Sequence, residues 1–188
     1  MAMADLKAEK IDHPACAPCL YWTSGEALPC SDALIALVAE RWCREKNRPP
    51  FRADVMRREF EKPRFGLAPD VHFSVSQSGS CWICAIDDHP VGIDLQICQA
   101  VNAAGIARRH FHPLEALWLE KHPDDFFRIW TAKEAYVKYT GKGIDNDFGS
   151  FSVVDLHGFK SKIDDADLCF VPFLPGYVLA VASTSVNF

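Results

Sequence analysis

The sequence predicts an α+β protein built as two similar α+β lobes, and two observations carry that reading. The first is order: one amphipathic helix followed by short strands in the first half, then helices followed by short strands again in the second. The second is size and balance. A chain of 188 residues suffices for one ordinary domain or for two small lobes sharing a core, and 49% hydrophobic with 24% charged residues is a globular composition. We place the division after residue 97, giving an N-terminal lobe over 1–97 and a C-terminal lobe over 98–188. No residue-level repeat relates the two halves.

Residues 1–30 scatter Pro, Gly and Cys and read as irregular, with one short strand over Leu20 to Thr23. Ser31 stands where a helix N-cap is expected, because Leu34, Ile35, Leu37, Val38 and Trp42 then recur at helical spacing and Pro49 and Pro50 follow. Strands are expected over 55–60, 71–76, 81–87 and 91–96, with Asp87-Asp88-His89-Pro90 turning between the last two. Helices follow over 102–110 and 114–120, the second opened by Pro113. Asp124 or Asp125 is placed to cap a long helix that reaches Thr140 and stops at Gly141. The remainder reads as strands over 151–156, 159–163, 168–172 and 177–183.

Several function classes recede. A net charge of −5 does not fit nucleic-acid binding, which usually shows as excess Lys and Arg. No apolar run is long enough to span a bilayer, and Met1 to Lys10 lacks the apolar core of a secretory signal, so a cytoplasmic location and no membrane partner are expected. The eight cysteines include two CxxC pairs, Cys16–Cys19 and Cys81–Cys84. The second pair lies in a strand, where residues three apart point to opposite faces and cannot share an ion. Reduced, buried thiols are the ordinary reading, and a small zinc protein is the minor one.

The chemistry gathers in two places. In Val91-Gly92-Ile93-Asp94-Leu95-Gln96 the apolar residues alternate with a glycine, a carboxylate and an amide. The missing side chain of Gly92 lets a ligand or another backbone come close. In the helix that follows, Phe126, Ile129, Trp130, Tyr136 and Val137 form a buried stripe with Lys133 in its middle. A lysine there needs a partner or a depressed pKa. Glu134 and Lys138 are four apart at the stripe's edge. Each of these charges alone reads as a surface ion pair or a snorkelling stem. Three beside one apolar stripe, with Gly141-Lys142-Gly143 at the exit, point to a site.

These residues resemble the 4′-phosphopantetheinyl transferase family. Its members carry a Gly-(Ile/Val)-Asp strand and, further on, a Trp-x-x-Lys-Glu-Ala-x-x-Lys-x-x-Gly-x-Gly helix. Here Gly92-Ile93-Asp94 and Trp130-Thr131-Ala132-Lys133-Glu134-Ala135-Tyr136-Val137-Lys138-Tyr139-Thr140-Gly141-Lys142-Gly143 fill every fixed position. Lys62-Pro63-Arg64-Phe65, Phe73-Ser74-Val75-Ser76-Gln77-Ser78 and Arg109-His110-Phe111-His112-Pro113-Leu114-Glu115 resemble its Lys-Pro-x-Phe, Phe-Asn-x-Ser-His-Ser and Arg-x-Phe-x-x-x-Glu segments. The order matches the single-chain type that activates peptide and polyketide synthases.

The resemblance implies a pseudo-dimer with coenzyme A in the cleft between the lobes. It implies Mg²⁺-dependent transfer of the phosphopantetheine arm to a serine of an apo acyl or peptidyl carrier protein, releasing 3′,5′-ADP, by a protein that is a monomer. Asp94 and Glu134 match the metal carboxylates, a donor set that suits a hard cation. Glu134 is also the candidate base, directly or through a bound water. Lys138 matches a lysine that steadies phosphate charge. Lys62, Ser76 and Gln77 match cofactor contacts, and Lys133 serves either the cofactor or the helix's packing. Arg108, Arg109, Lys121, Arg128 and Lys142 are candidates for a basic rim facing an acidic carrier.

Three departures weaken the match. Gln96 stands where many relatives have a further metal-binding glutamate, which implies weaker metal binding. Gln77 replaces a histidine near the 3′-phosphate. Leu28-Pro29-Cys30 precedes the first helix where an arginine is usual, so the 3′-phosphate clamp reads as depleted. A catalytically weak paralogue that binds carrier protein or coenzyme A is therefore the alternative.

Overall fold

A computed structural model describes residues 8–13, 18–59, 61–141 and 148–184. The chain runs through β1 (Glu9–Ile11), β2 (Cys19–Ser24), α1 (Ser31–Glu45), β3 (Val55–Met56), β4 (Arg64–Phe65), β5 (His72–Ser78), β6 (Cys81–Asp87), β7 (Val91–Ile97), α2 (Ala103–His110) and α3 (Pro113–Lys121). A 3-10 turn (Pro123–Asp125) leads into α4 (Phe126–Thr140). Then follow β8 (Val154–Asp155), β9 (Gly158–Phe159), β10 (Lys162–Ile163), β11 (Ala166–Phe170) and β12 (Tyr177–Thr184). The fold is α+β, as the order of elements predicts.

Two four-stranded antiparallel sheets dominate, ordered β1-β2-β6-β5 and β10-β11-β12-β7. They stack as inner layers between helices, and period-2 alternation explains how. On β6, Trp82, Cys84 and Ile86 face the core under α1, which supplies Leu34, Ile35, Val38 and Trp42. The intervening Cys81, Ile83 and Ala85 face the other sheet and meet Val91, Ile93, Leu95, Leu179 and Val181. The outer face of that second sheet is covered by α4, with Ile129, Ala132 and Ala135 packed over Ala180 and Ala182.

β7 departs from simple chain order. Only three residues separate it from β6, yet it pairs with β12 across Val91↔Ser183 through Ile97↔Tyr177. A strand from residues 1–97 therefore completes a sheet otherwise made from residues 98–188. Three serines tie it back to the first sheet. Ser74, Ser76 and Ser78 accept the backbone N–H groups of Ile93 (3.1 Å), Leu95 (3.1 Å) and Ile97 (2.9 Å). The steps are two residues on both strands, so β5 and β7 run in the same direction, with hydroxyl oxygens standing where carbonyls would.

Gly92 lets α4 settle on β7. A Cβ there would fall inside the Ala135 carbonyl oxygen and the Tyr139 backbone nitrogen. Of the two uses expected of this glycine, close approach of a backbone is the one seen. At the far end of α4, Gly141 takes a left-handed φ of 70° and caps the helix.

α3 and α4 are joined by a buried charge pair. Lys133 is 0% exposed and its Nζ lies 2.9 Å from Glu115 Oε2, also 0% exposed. The ammonium donates a further bond to the Phe151 carbonyl (2.6 Å) and sits 4.0 Å from the Phe151 ring centroid. Glu115 also accepts the N–H groups of His112 (3.0 Å) and Val153 (2.8 Å). With every donor and acceptor engaged, the pair tolerates burial.

Two expected caps are used differently. Ser31 is the first helical residue rather than the N-cap, and its hydroxyl accepts the Trp82 indole N–H at 3.1 Å. Asp125 precedes α4 without capping it, accepting instead from Trp118 Nε1 (2.8 Å) and Arg128 (3.1 Å). The strand expected over 55–60 shortens to β3, with Phe60 outside the described residues. No helix among the described residues is long and apolar enough to cross a membrane.

Two outcomes are expected. Gly92→Ala will destabilise the protein by about 3 kcal/mol or more, because the clash is with helix backbone that cannot rotate away; urea unfolding measures it. Glu115→Ala will cost about 3–5 kcal/mol by stranding Lys133, and adding Lys133→Met will restore part of that loss in a double-mutant cycle.

Candidate functional site

An open cavity of about 460 Å³ lies where α1, β5, β6, β7 and α4 come together. Its walls include Ser76 and Gln77 of β5, Asp94 and Gln96 of β7, and Trp130, Glu134 and Lys138 of α4. Six of the residues singled out in the sequence, from three separated segments, therefore share one space.

Helix geometry sorts the charges of α4. Glu134 and Lys138 are four apart and face the same side, while Lys133 and Lys138 stand about 140° apart around the axis. Lys138 reaches the cavity, and Lys133 lies in the sealed pair with Glu115. Lys133 does not line the cavity; of the two roles expected for it, packing is the one visible in the sealed pair. Glu115 is the partner that sequence reasoning missed. Its signal was available: a buried lysine needs a carboxylate, and the Arg-x-Phe-x-x-x-Glu segment supplies one.

The simple i,i+4 pair between Glu134 and Lys138 does not form. Lys138 Nζ instead donates to Asp94 Oδ1 on β7 at 2.6 Å. The Ser76 hydroxyl donates to the same oxygen at 2.8 Å. Asp94 Oδ2 is buried with no hydrogen-bond partner, and no hydrogen bond to a described residue engages Glu134. A half-satisfied carboxylate that is only 5% exposed is costly unless something else binds it.

Electrostatics point the same way. Burial pushes the Asp94 carboxyl above the usual range, opposed by Lys138 and Ser76. Burial raises Glu134 as well, and the neighbouring Asp94 adds to the shift while Lys138 opposes it. Two neighbouring carboxylates, of which one holds the single nearby ammonium, gain from a further cation. The donor set fits a hard divalent ion: Asp94 Oδ2, Glu134 and the amide oxygen of Gln96, with open space for water and phosphate oxygens. Among the described residues no group of three or more His, Cys, Asp or Glu is placed to hold a metal. That disfavours a closed zinc site there. Cys81 and Cys84 occupy cores on opposite faces of β6, as strand geometry requires, while Cys16 lies outside the described residues.

Lys62 stands apart from the cavity wall. It packs against Gly141 at the end of α4, and its ammonium bonds the Val91 carbonyl at the start of β7. Burial lowers its pKa to about 8. Lys142 and Gly143, which complete the helix motif, lie outside the described residues. Trp130 and Trp82 wall the cavity without having been singled out as site residues, although Trp130 is a fixed position of the helix motif.

The comparisons with known proteins agree with this constellation. The family model of the 4′-phosphopantetheinyl transferase superfamily matches residues 90–182, which include β7 and α4. A 4′-phosphopantetheinyl transferase of Bacillus subtilis is 36% identical over 141 residues, covering 69% of this chain and 62% of that protein. The transferase Sfp of Bacillus subtilis strain 168 is 33% identical over the same shares. The transferase gsp of Aneurinibacillus migulanus is 38% identical over 98 residues, 50% of this chain and 40% of that protein. The chain thus spans about three fifths of the length of the two Bacillus relatives. On the matched motifs and their convergence in one cavity, the chain belongs to the 4′-phosphopantetheinyl transferase superfamily.

Proposed function

We propose that the protein transfers the 4′-phosphopantetheine arm of coenzyme A to a serine hydroxyl of an apo acyl or peptidyl carrier protein, releasing 3′,5′-ADP. The observation that carries the reading is the meeting of Asp94, Glu134 and Lys138 in one cavity with Asp94 Oδ2 left unpartnered. Asp94 and Glu134, with Gln96, would hold Mg²⁺, and the bound ion supplies positive charge to the pyrophosphate of coenzyme A.

The serine oxygen attacks the β-phosphorus, and the bond to the bridging oxygen of 3′,5′-ADP breaks. The enzyme contributes no nucleophile of its own. Glu134 accepts the serine proton, a task favoured by the burial that raises its proton affinity. Lys138, only partly buried, would turn from Asp94 towards the phosphates and hold charge on the leaving group. Ser76 and Gln77 offer uncharged hydrogen bonds at the β5 wall.

Arg108 and Arg109 are exposed at the end of α2, as is Lys121 at the end of α3, and they suit an acidic carrier. Arg128 is already held against Asp125 and the Phe159 and Phe170 rings, so it adds less to such a rim. A pseudo-dimer divided near residue 97, a monomeric state and a cytoplasmic location belong to the same reading. The alternative of a binder with weak turnover draws on the neutral Gln77 and Gln96 in the cavity wall.

Intact-mass spectrometry of an apo carrier protein mixed with coenzyme A, Mg²⁺ and the enzyme decides between them. A gain of one phosphopantetheine, lost with chelator and reduced about a hundredfold or more in Glu134→Ala, is expected. Binding of coenzyme A without any gain across several carriers would establish the weak paralogue.

Lys62 yields a second expectation. Burial holds its folded-state pKa at about 8, below the ordinary 10.5. The folded state is therefore penalised at neutral pH, and the penalty fades as pH rises from 8 towards 10.5, so stability from this group increases across that window. Lys62→Met will stabilise the protein by about 1–3 kcal/mol at pH 7 and flatten that rise. If the lysine contacts coenzyme A, the same variant will bind the cofactor more weakly in calorimetry.

A further inference from the structure

We infer that Ser76 is a positioning residue, whose hydroxyl fixes the Asp94 carboxylate so that Oδ2 faces the cation site. This rests on the divalent-cation site proposed above and assigns Ser76 a role distinct from contact with the cofactor.

The argument begins with the three serines that join β5 to β7. Each accepts one backbone N–H, from Ile93, Leu95 and Ile97 in turn. A hydroxyl has one proton to give, and the middle serine gives it to a carboxylate. Leu95 N–H fills one lone pair of Ser76 Oγ at 3.1 Å, and the Ser76 proton points to Asp94 Oδ1 at 2.8 Å. The competing Leu95 carbonyl lies at 3.5 Å, at the limit of a hydrogen bond. Ser74 and Ser78 carry no such bond to Asp94.

Asp94 Oδ1 thus receives two donors, Ser76 Oγ and Lys138 Nζ at 2.6 Å. Two donors on one oxygen define the carboxylate plane, and they leave Oδ2 buried and without a partner. The two holds differ in kind. Lys138 is a long chain with freedom to move towards a phosphate, whereas Ser76 is anchored through Leu95 to the strand that carries Asp94. With Lys138 turned away, Ser76 remains as the side-chain hold on the carboxylate. Groups behind a ligand commonly govern metal affinity in this way.

The test compares Ser74→Ala, Ser76→Ala and Ser78→Ala in the full chain. Each removes the hydroxyl that accepts one N–H of β7, and Ser76→Ala also removes the donor to Asp94, so all three are expected to lower the thermal midpoint, Ser76→Ala by at least as much as the other two. Free Mn²⁺ counted by electron paramagnetic resonance, in titrations of protein without coenzyme A, reads the site directly. Ser76→Ala is expected to weaken Mn²⁺ about tenfold or more, Ser74→Ala and Ser78→Ala to leave it near wild type, and Ser76→Thr to restore it. Equal Mn²⁺ affinity in Ser76→Ala and wild type overturns the positioning role and leaves the cation site standing. Equal weakening in all three alanine variants overturns it too, because the effect then belongs to the seam. No Mn²⁺ binding by wild type, in a range where Asp94→Asn is also silent, overturns the cation site and this role together.

Discussion

The site depends on a seam in which side-chain oxygens do the work of a backbone ladder. β5 and β7 are the neighbouring edges of two separate sheets, and neither completes the other's backbone pattern. Three serine hydroxyls spaced two apart accept the N–H groups that β7 would otherwise leave buried and unpaired. Serine suits this place because its hydroxyl is short and both accepts and donates. The accepting half closes the seam. At Ser76 the donating half reaches Asp94, so the joint between the sheets is also the support of a charged group.

α4 completes the arrangement from the other side, and it can do so because Gly92 has no side chain. The helix lies against β7 closely enough for Lys138 to bond Asp94 directly. A second hold, Lys133 with Glu115, ties α4 to α3 and to the chain at Phe151 and Val153. One helix therefore carries two lysines with opposite fates. The sealed one is fully satisfied by fixed partners and serves as a rivet. The other is only partly buried and holds a carboxylate whose second oxygen is unsatisfied.

That contrast separates architecture from chemistry. A fully paired buried charge has little to gain from a ligand, whereas a crowded carboxylate pair with an orphaned oxygen does. The neutral amides at Gln77 and Gln96 soften the cavity's field without removing the two carboxylates or Lys138. Under the proposed function, recognition of phosphate would rely on a cation and on Lys138 more than on a ring of fixed positive charges among the described residues.

The sequence by itself determined the α+β class, most elements, the alternation that buries Val91, Ile93 and Leu95, and, through the motifs of the family it resembles, six of the residues that meet in the cavity. These are local matters, set by periodicity and by motif positions four residues apart on one helix. The neighbours of those residues were decided only by tertiary structure. Ser31 is diverted from capping to Trp82, Asp125 to Trp118, Lys138 from Glu134 to Asp94, and Lys133 finds Glu115 eighteen positions away. The membership of β7 in the later sheet is hidden for the same reason. A polar group takes whichever partner burial brings within hydrogen-bond reach, and that partner is fixed by how sheets and helices stack, which spacing along the chain does not encode.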